Sequence, residues 1–216
     1  MTCQGVLTVP VRRTDSGAST SNPRTKPPEQ RRTELMDAAE RLFLEQGVAP
    51  TTIEQITEGA GVAKGTFYLY FSSKDDILSA LGDRFGAQHL GSIKAALAKV
   101  PAENWKAKLT AWASACLHGY LDSIELHDVL FYGFRPPTRE GLVRNTVIDH
   151  LAELLRDGVS AGAWTIEDPE MTAVFFFSGL HAVVDDAYLK ERKIQRAQLA
   201  RKTEELIFRA MGLSIR

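Results

Sequence analysis

Two cysteines in 216 residues, Cys3 and Cys116, are too few and too far apart for a disulfide framework or a cysteine-type zinc site. They suit a reducing compartment. No apolar run reaches the roughly 18 to 20 residues that span a bilayer; the densest, Val174 to Leu189, is broken by Ser178, His181, Asp185 and Asp186. Met1 to Val11 contains no basic residue and reads poorly as a secretory signal. The expected location is the cytoplasm. Charge of one sign is missing as well: 26 basic and 27 acidic residues give a net charge of −1, which excludes polybasic bulk binding to nucleic acid. Any such contact must be local. There is no glycine-rich phosphate loop, no His-Glu-x-x-His element and no Gly-x-Ser-x-Gly elbow, so the sequence argues against an enzyme, a bound cofactor or a metal.

What is present is 44% hydrophobic residues, enough for a real core, arranged with helical spacing from Pro28 onward. No alternating β-branched run bounded by hairpin turns occurs, so the reading is all-α. Residues 1–28 are rich in Ser, Thr, Pro and Arg and carry a charge of +3 from Arg12, Arg13, Arg24 and Lys26 against Asp15. This segment reads as a disordered basic arm. A first helix is expected from Pro28 to Gln46, stopped by Gly47. Thr52 and Gln55 have capping-box spacing and start a second, short helix that ends at Gly61. A third covers 64–71, and Ser73 with Asp76 caps a longer fourth. Further helices are expected at 103–122, 125–133, 138–161, 169–189 and 195–211, with a candidate hinge at Pro136 and Pro137.

Two short helices joined through Gly61 and Val62 have the form of a helix-turn-helix. At about 100° per residue from Lys64, Phe67 and Phe71 fall together on an inward face, near 300° and 340°. Gly65, Thr66 and Leu69 lie opposite, bordered by Tyr68 and Tyr70. Such a face serves solubility badly and a major groove well: glycine permits close backbone approach, threonine offers a hydroxyl, leucine meets a thymine methyl and tyrosines reach phosphates. Lys64 and Lys74, each at a helix start, are candidate phosphate partners.

The stretch from Thr51 through Glu54, Gly59, Ala60, Gly61, Val62, Lys64, Gly65, Thr66, Phe67, Tyr68 and Tyr70 to Phe71, followed by Ser73 and Lys74, resembles the DNA-binding signature of tetracycline-repressor-like (TetR family) regulators. Ala38, Ala39, Leu42, Phe43 and Gly47 resemble that family's first helix. The resemblance covers about residues 31–80. It implies a homodimer of all-helical subunits, with a three-helix DNA-binding domain at 29–80 and a larger ligand-binding and dimerisation domain at 81–216. It assigns DNA contacts to Thr52, Lys64, Gly65, Thr66, Tyr68, Tyr70 and Lys74. Ala63 departs from the serine common in the family, which weakens the cap of the third helix.

The C-terminal half offers candidates for a pocket. Trp105, Leu109, Trp112, Cys116 and Tyr120 form one stripe, in which the two tryptophans, the cysteine and the tyrosine suit a flat apolar ligand or ordinary core packing. Phe131, Phe134 and Phe177 are similar candidates. Ser178, His181 and Asp185 stand in file on one helix, a geometry that excludes a hydrolase triad, and no His or Cys cluster completes a metal site. They read as a polar strip in a pocket or across a dimer interface. The last two helices are expected to form the dimer contact. The function expected is a ligand-responsive, sequence-specific regulator, most simply a repressor of a near-palindromic operator released by a small apolar or aromatic inducer. The alternative is a helical DNA-binding or interaction protein without a small ligand. Inducer, operator, regulated genes and the sign of regulation are not legible.

Overall fold

The structure is a computed structural model in which residues 26–132, 145–190 and 193–214 are described. Among the described residues every regular element is a helix. Helix α1 (Pro28–Gln46) opens on proline, whose missing N–H costs nothing there, and stops at Gly47, whose φ of 84° suits a residue without Cβ. Helix α2 (Ile53–Gly59) has the expected capping box: Gln55 N–H donates to Thr52 Oγ1 over 3.2 Å and Thr52 N–H to Gln55 Oε1 over 2.9 Å. Gly61, at φ 65°, turns the chain into α3 (Lys64–Phe67).

The third helix is shorter than the expected 64–71. No side chain at Ala63 caps its start, and residues 68–70 continue as a turn in which Leu69 N–H donates to Thr66 O. Phe71 still closes back, its N–H donating to Phe67 O over 3.0 Å. Helix α4 (Lys74–Leu97) starts at Ser73, whose Oγ accepts Asp76 N–H. Helix α5 (Trp105–Asp122) is capped by Asn104. Helix α6 (Ile124–His127) runs into a wider π-type turn over Asp128–Tyr132 in place of one regular helix at 125–133. Helices α7 (Thr146–Ser160), α8 (Pro169–Lys190) and α9 (Arg196–Ala210) complete the order. The basic arm up to residue 25, Phe134 and the Pro136–Pro137 break lie outside the described residues.

Two apolar cores result, and α4 enters both. Leu35, Ala39 and Phe43 of α1, Ile56 of α2, Phe67, Phe71 and Ile77, Leu78 and Leu81 of α4 make the first. Burying each such side chain contributes about 1.5 to 3 kcal/mol, the favourable term that orders so small a unit. Ile93 of α4 joins the second, with Leu109, Trp112 and Cys116 of α5, Leu151 and Leu155 of α7, Phe176 and Leu180 of α8 and Ile207 and Phe208 of α9. Trp164 closes α7 by lying against Gly158 and donating its indole N–H to Leu155 O over 2.8 Å. Helix α8 has a split face: Ala173, Phe176, Phe177, Leu180, Val184 and Ala187 are buried, whereas Met171, Val174, Phe175 and Leu189 are exposed.

Candidate nucleic-acid interface and aromatic cluster

Helix α2 and the first core hold α3 so that Phe67 is fully buried and its other sides face out. Leu69 is 79% exposed and Tyr68 53%, while Gly65 is exposed and Thr66 and Tyr70 are half-buried. A Cβ added at Gly65 would meet nothing within 4 Å, so among the described residues no packing asks for glycine there. Space is left for something outside it. Thr52 Oγ1 accepts the Gln55 backbone N–H, and its hydroxyl helps hold down the Glu54 carboxyl beside it.

The two lysines differ. Lys64 is exposed and pairs with Glu54 of α2; the hydrogen bond from Lys64 holds the Glu54 carboxyl below the usual carboxylate range and raises the lysine in turn. An ion pair this exposed is worth little and yields readily to a phosphate. Lys74 Nζ instead donates to three backbone carbonyls, Val48 O at 2.7 Å, Ala49 O at 2.9 Å and Thr51 O at 2.8 Å. The phosphate contact expected there thus meets a side chain turned onto the α1–α2 turn.

A second cluster lies where α4, α5, the α6 segment and α8 meet. Tyr120 of α5 donates its hydroxyl to Asp185 Oδ1 over 2.6 Å, and its ring centroid lies 4.3 Å from His127 and 4.5 Å from His181. The Phe177 ring lies tilted 4.1 Å from His181 and Phe131 4.9 Å from His127, and Phe85 reaches Phe131, His127 and His89 at about 6 Å. Burial pushes His89 down to about 4 and His127 to about 3, and lowers His181 too, so these imidazoles are neutral at pH 7. Burial first, then Asp185, raises Asp128.

Of the pocket candidates, Tyr120, Phe131, Phe177, His181 and Asp185 come together here. Trp112 and Cys116 sit in the second core, where burial raises the Cys116 thiol and Trp112 Nε1 has no hydrogen-bond partner among the described residues. Trp105 packs on Trp164 at the far end of α5. The polar strip of α8 divides: His181 and Asp185 turn toward Tyr120, and Ser178, one turn before His181, is exposed. Phe85, His89 and His127 were missed, since isolated histidines on separate helices carry no spacing signal. Only Phe85 and His89, four apart on α4, share a face legible in sequence. Among the described residues no group of three or more His, Cys, Asp or Glu has the geometry to hold a metal ion.

A family model described as bacterial regulatory proteins, tetR family, matches residues 35–81. Residues 35–81, the reading head, thus match the tetR family. The HTH-type transcriptional regulator TtgR of Pseudomonas putida is 42% identical over 61 residues, 28% of this chain and 29% of that protein. The chain therefore matches less than a third of that relative's length. The HTH-type transcriptional regulator SrpR of Pseudomonas putida is 28% identical over 160 residues, 70% of this chain and 72% of that protein. The solved complex of SmeT with triclosan shares the fold, with a TM-score of 0.65 at 20% identity over 84% of this chain and 91% of that one. In this tetR-family head, the α3 face that bears Gly65, Thr66 and Leu69 is the one left free by the core. Among the described residues no helix is long and apolar enough to cross a membrane.

Proposed function

We propose that the protein is a ligand-responsive, sequence-specific DNA-binding transcriptional regulator, acting as a cytoplasmic homodimeric repressor. The observation that carries this is the exposed α3 face: Leu69 is 79% exposed beside a glycine that no internal contact requires. Gly65 lets the backbone approach the major groove, Thr66 and Leu69 read base edges, and Thr52, Lys64, Tyr68 and Tyr70 hold phosphates. The dimer forms through α8 and α9. Its support is the exposed apolar row Met171, Val174, Phe175 and Leu189, joined by Leu206 of α9, with the small residues Ser178, Gly179 and Ala182 between them to admit a partner helix closely. Two reading helices set about 34 to 36 Å apart would select a near-palindromic operator.

The inducer site is the Tyr120–His127–His181 cluster, whose rings suit an apolar or aromatic molecule and whose neutral imidazoles can donate or accept hydrogen bonds. The triclosan complex of SmeT supports a small ligand in this fold. Helix α4 begins beside the reading head and carries Phe85 and His89 in the cluster, so a ligand favouring one setting of α4 shifts the spacing of the two heads. The work is binding, not turnover. A thermal-shift screen of small aromatics tests the ligand half: a true inducer raises the melting temperature and releases DNA at the same concentrations. A compound series that stabilises the protein without releasing DNA speaks for DNA binding independent of a ligand.

A further inference from the structure

Lys74 is the first residue of α4, where a positive charge opposes the helix dipole. Its side chain folds away from that end and spreads three hydrogen bonds over Val48 O, Ala49 O and Thr51 O, at 2.7 to 2.9 Å. An ammonium has three N–H donors in tetrahedral array, so three convergent carbonyls match its full capacity. The same turn is tied from within. Thr51, 1% exposed, donates its hydroxyl to Gly47 O over 2.7 Å, and Gln46 Nε2 donates to Thr51 Oγ1 and to Gln55 Oε1, the acceptor in the capping box of α2.

We infer that Lys74 serves the DNA interface as a positioning residue, fixing the α1–α2 turn and with it the start of α2, and not as a phosphate partner. The inference rests on the DNA-binding reading. Helix α2 packs against α3, so the angle at which α2 leaves the turn sets the angle of the reading face. A lysine here holds three segments, the end of α1, the start of α2 and the start of α4, at one point.

The two roles separate by chemistry. A phosphate accepts guanidinium at least as well as ammonium, whereas a longer, planar guanidinium cannot converge on three carbonyls. Wild type, Lys74→Arg, Lys74→Met and Thr51→Val are compared on a duplex enriched from random DNA by the wild-type protein, with affinity followed against salt. In parallel, amide hydrogen exchange is measured on the DNA-free full chain. The expected result is that all three variants lose tenfold or more in affinity, that Lys74→Met leaves the salt slope unchanged, and that amides at 51–56 exchange faster without DNA. Thr51→Val carries no charge change, so its loss cannot be a missing phosphate contact. Lys74→Arg at wild-type affinity, or a Lys74→Met slope reduced by about one per subunit with exchange unaltered, overturns the inference and restores the phosphate contact. Wild-type protein that enriches no sequence overturns the DNA-binding reading itself. Unchanged exchange at 51–56 in every variant overturns the positioning role alone.

Discussion

Tyr120 and Asp185 join α5 to α8 through one hydrogen bond of 2.6 Å, made by a phenol that is 1% exposed. A hydrogen bond to a carboxylate contributes about 1.5 to 3 kcal/mol when one partner would otherwise be left without it. Tyr120→Phe is therefore expected to lower the melting temperature by several degrees, and Asp185→Asn, which still accepts, by less. Differential scanning calorimetry reads both. Equal stability of Tyr120→Phe and wild type would show that this bond does not hold α5 to α8.

The histidines make stability depend on acid. Folded His89 and His127 titrate at about 4 and about 3, below the unfolded value of about 6.5, so between these limits the unfolded chain binds more protons. Their contribution is complete above about pH 6.5 and is lost as pH falls toward 4. Melting temperature should be flat from pH 7 to 8 and fall steadily from pH 6.5 to 4. His127→Phe, which keeps the ring packing against Tyr120 and Phe131, should make that fall shallower. A fall as steep as that of wild type would place the acid sensitivity elsewhere.

Gly65→Ala separates folding from recognition. The added methyl meets nothing among the described residues, and alanine exceeds glycine in helix propensity by about 1 kcal/mol, so stability should hold or rise. DNA affinity should fall tenfold or more, because the methyl stands between the backbone and the groove. Chemical denaturation and fluorescence anisotropy measure the two sides. Undiminished affinity would mean that the α3 backbone does not approach DNA closely.

Phe175 is 69% exposed in the middle of the apolar row of α8. Phe175→Glu sets two like charges against each other in a dimer built on this face, at a cost of several kcal/mol. Sedimentation velocity should show a dimer for wild type and a monomer with unchanged helix content for the variant. A dimeric variant would move the interface off α8.

The reading head was legible almost residue by residue, because its signals are local. Pro28 and Gly47 bound α1, Thr52 with Gln55 caps α2, and a spacing of four puts Phe67 and Phe71 in the core together. The shortened α3 was not, since the turn at 68–70 keeps Phe71 inward by tertiary packing that periodicity cannot register. Nor was the role of Lys74, whose acceptors lie 23 to 26 residues away in sequence. The aromatic cluster draws Phe85, Tyr120, His127 and His181 from four segments, and only the packing of α4, α5, α6 and α8 links them through neighbouring rings at 6 Å or less. Ser178 shows the converse: three residues before His181 in file, it still ends on the exposed face, because the core covers only one side of α8.

The head carries five basic against nine acidic residues over 29–80, so its affinity must come from placed contacts and not from bulk charge. The most direct test is selection from random duplex DNA by wild type, Leu69→Ala and Tyr68→Phe, followed by sequencing and gel-shift titration. The expected outcome is an inverted repeat for wild type, altered bases at fixed positions in each half-site for Leu69→Ala, and the same repeat bound more weakly for Tyr68→Phe. Enrichment of no sequence by the wild-type protein, or identical preferences in wild type and Leu69→Ala, would contradict sequence reading by the α3 face.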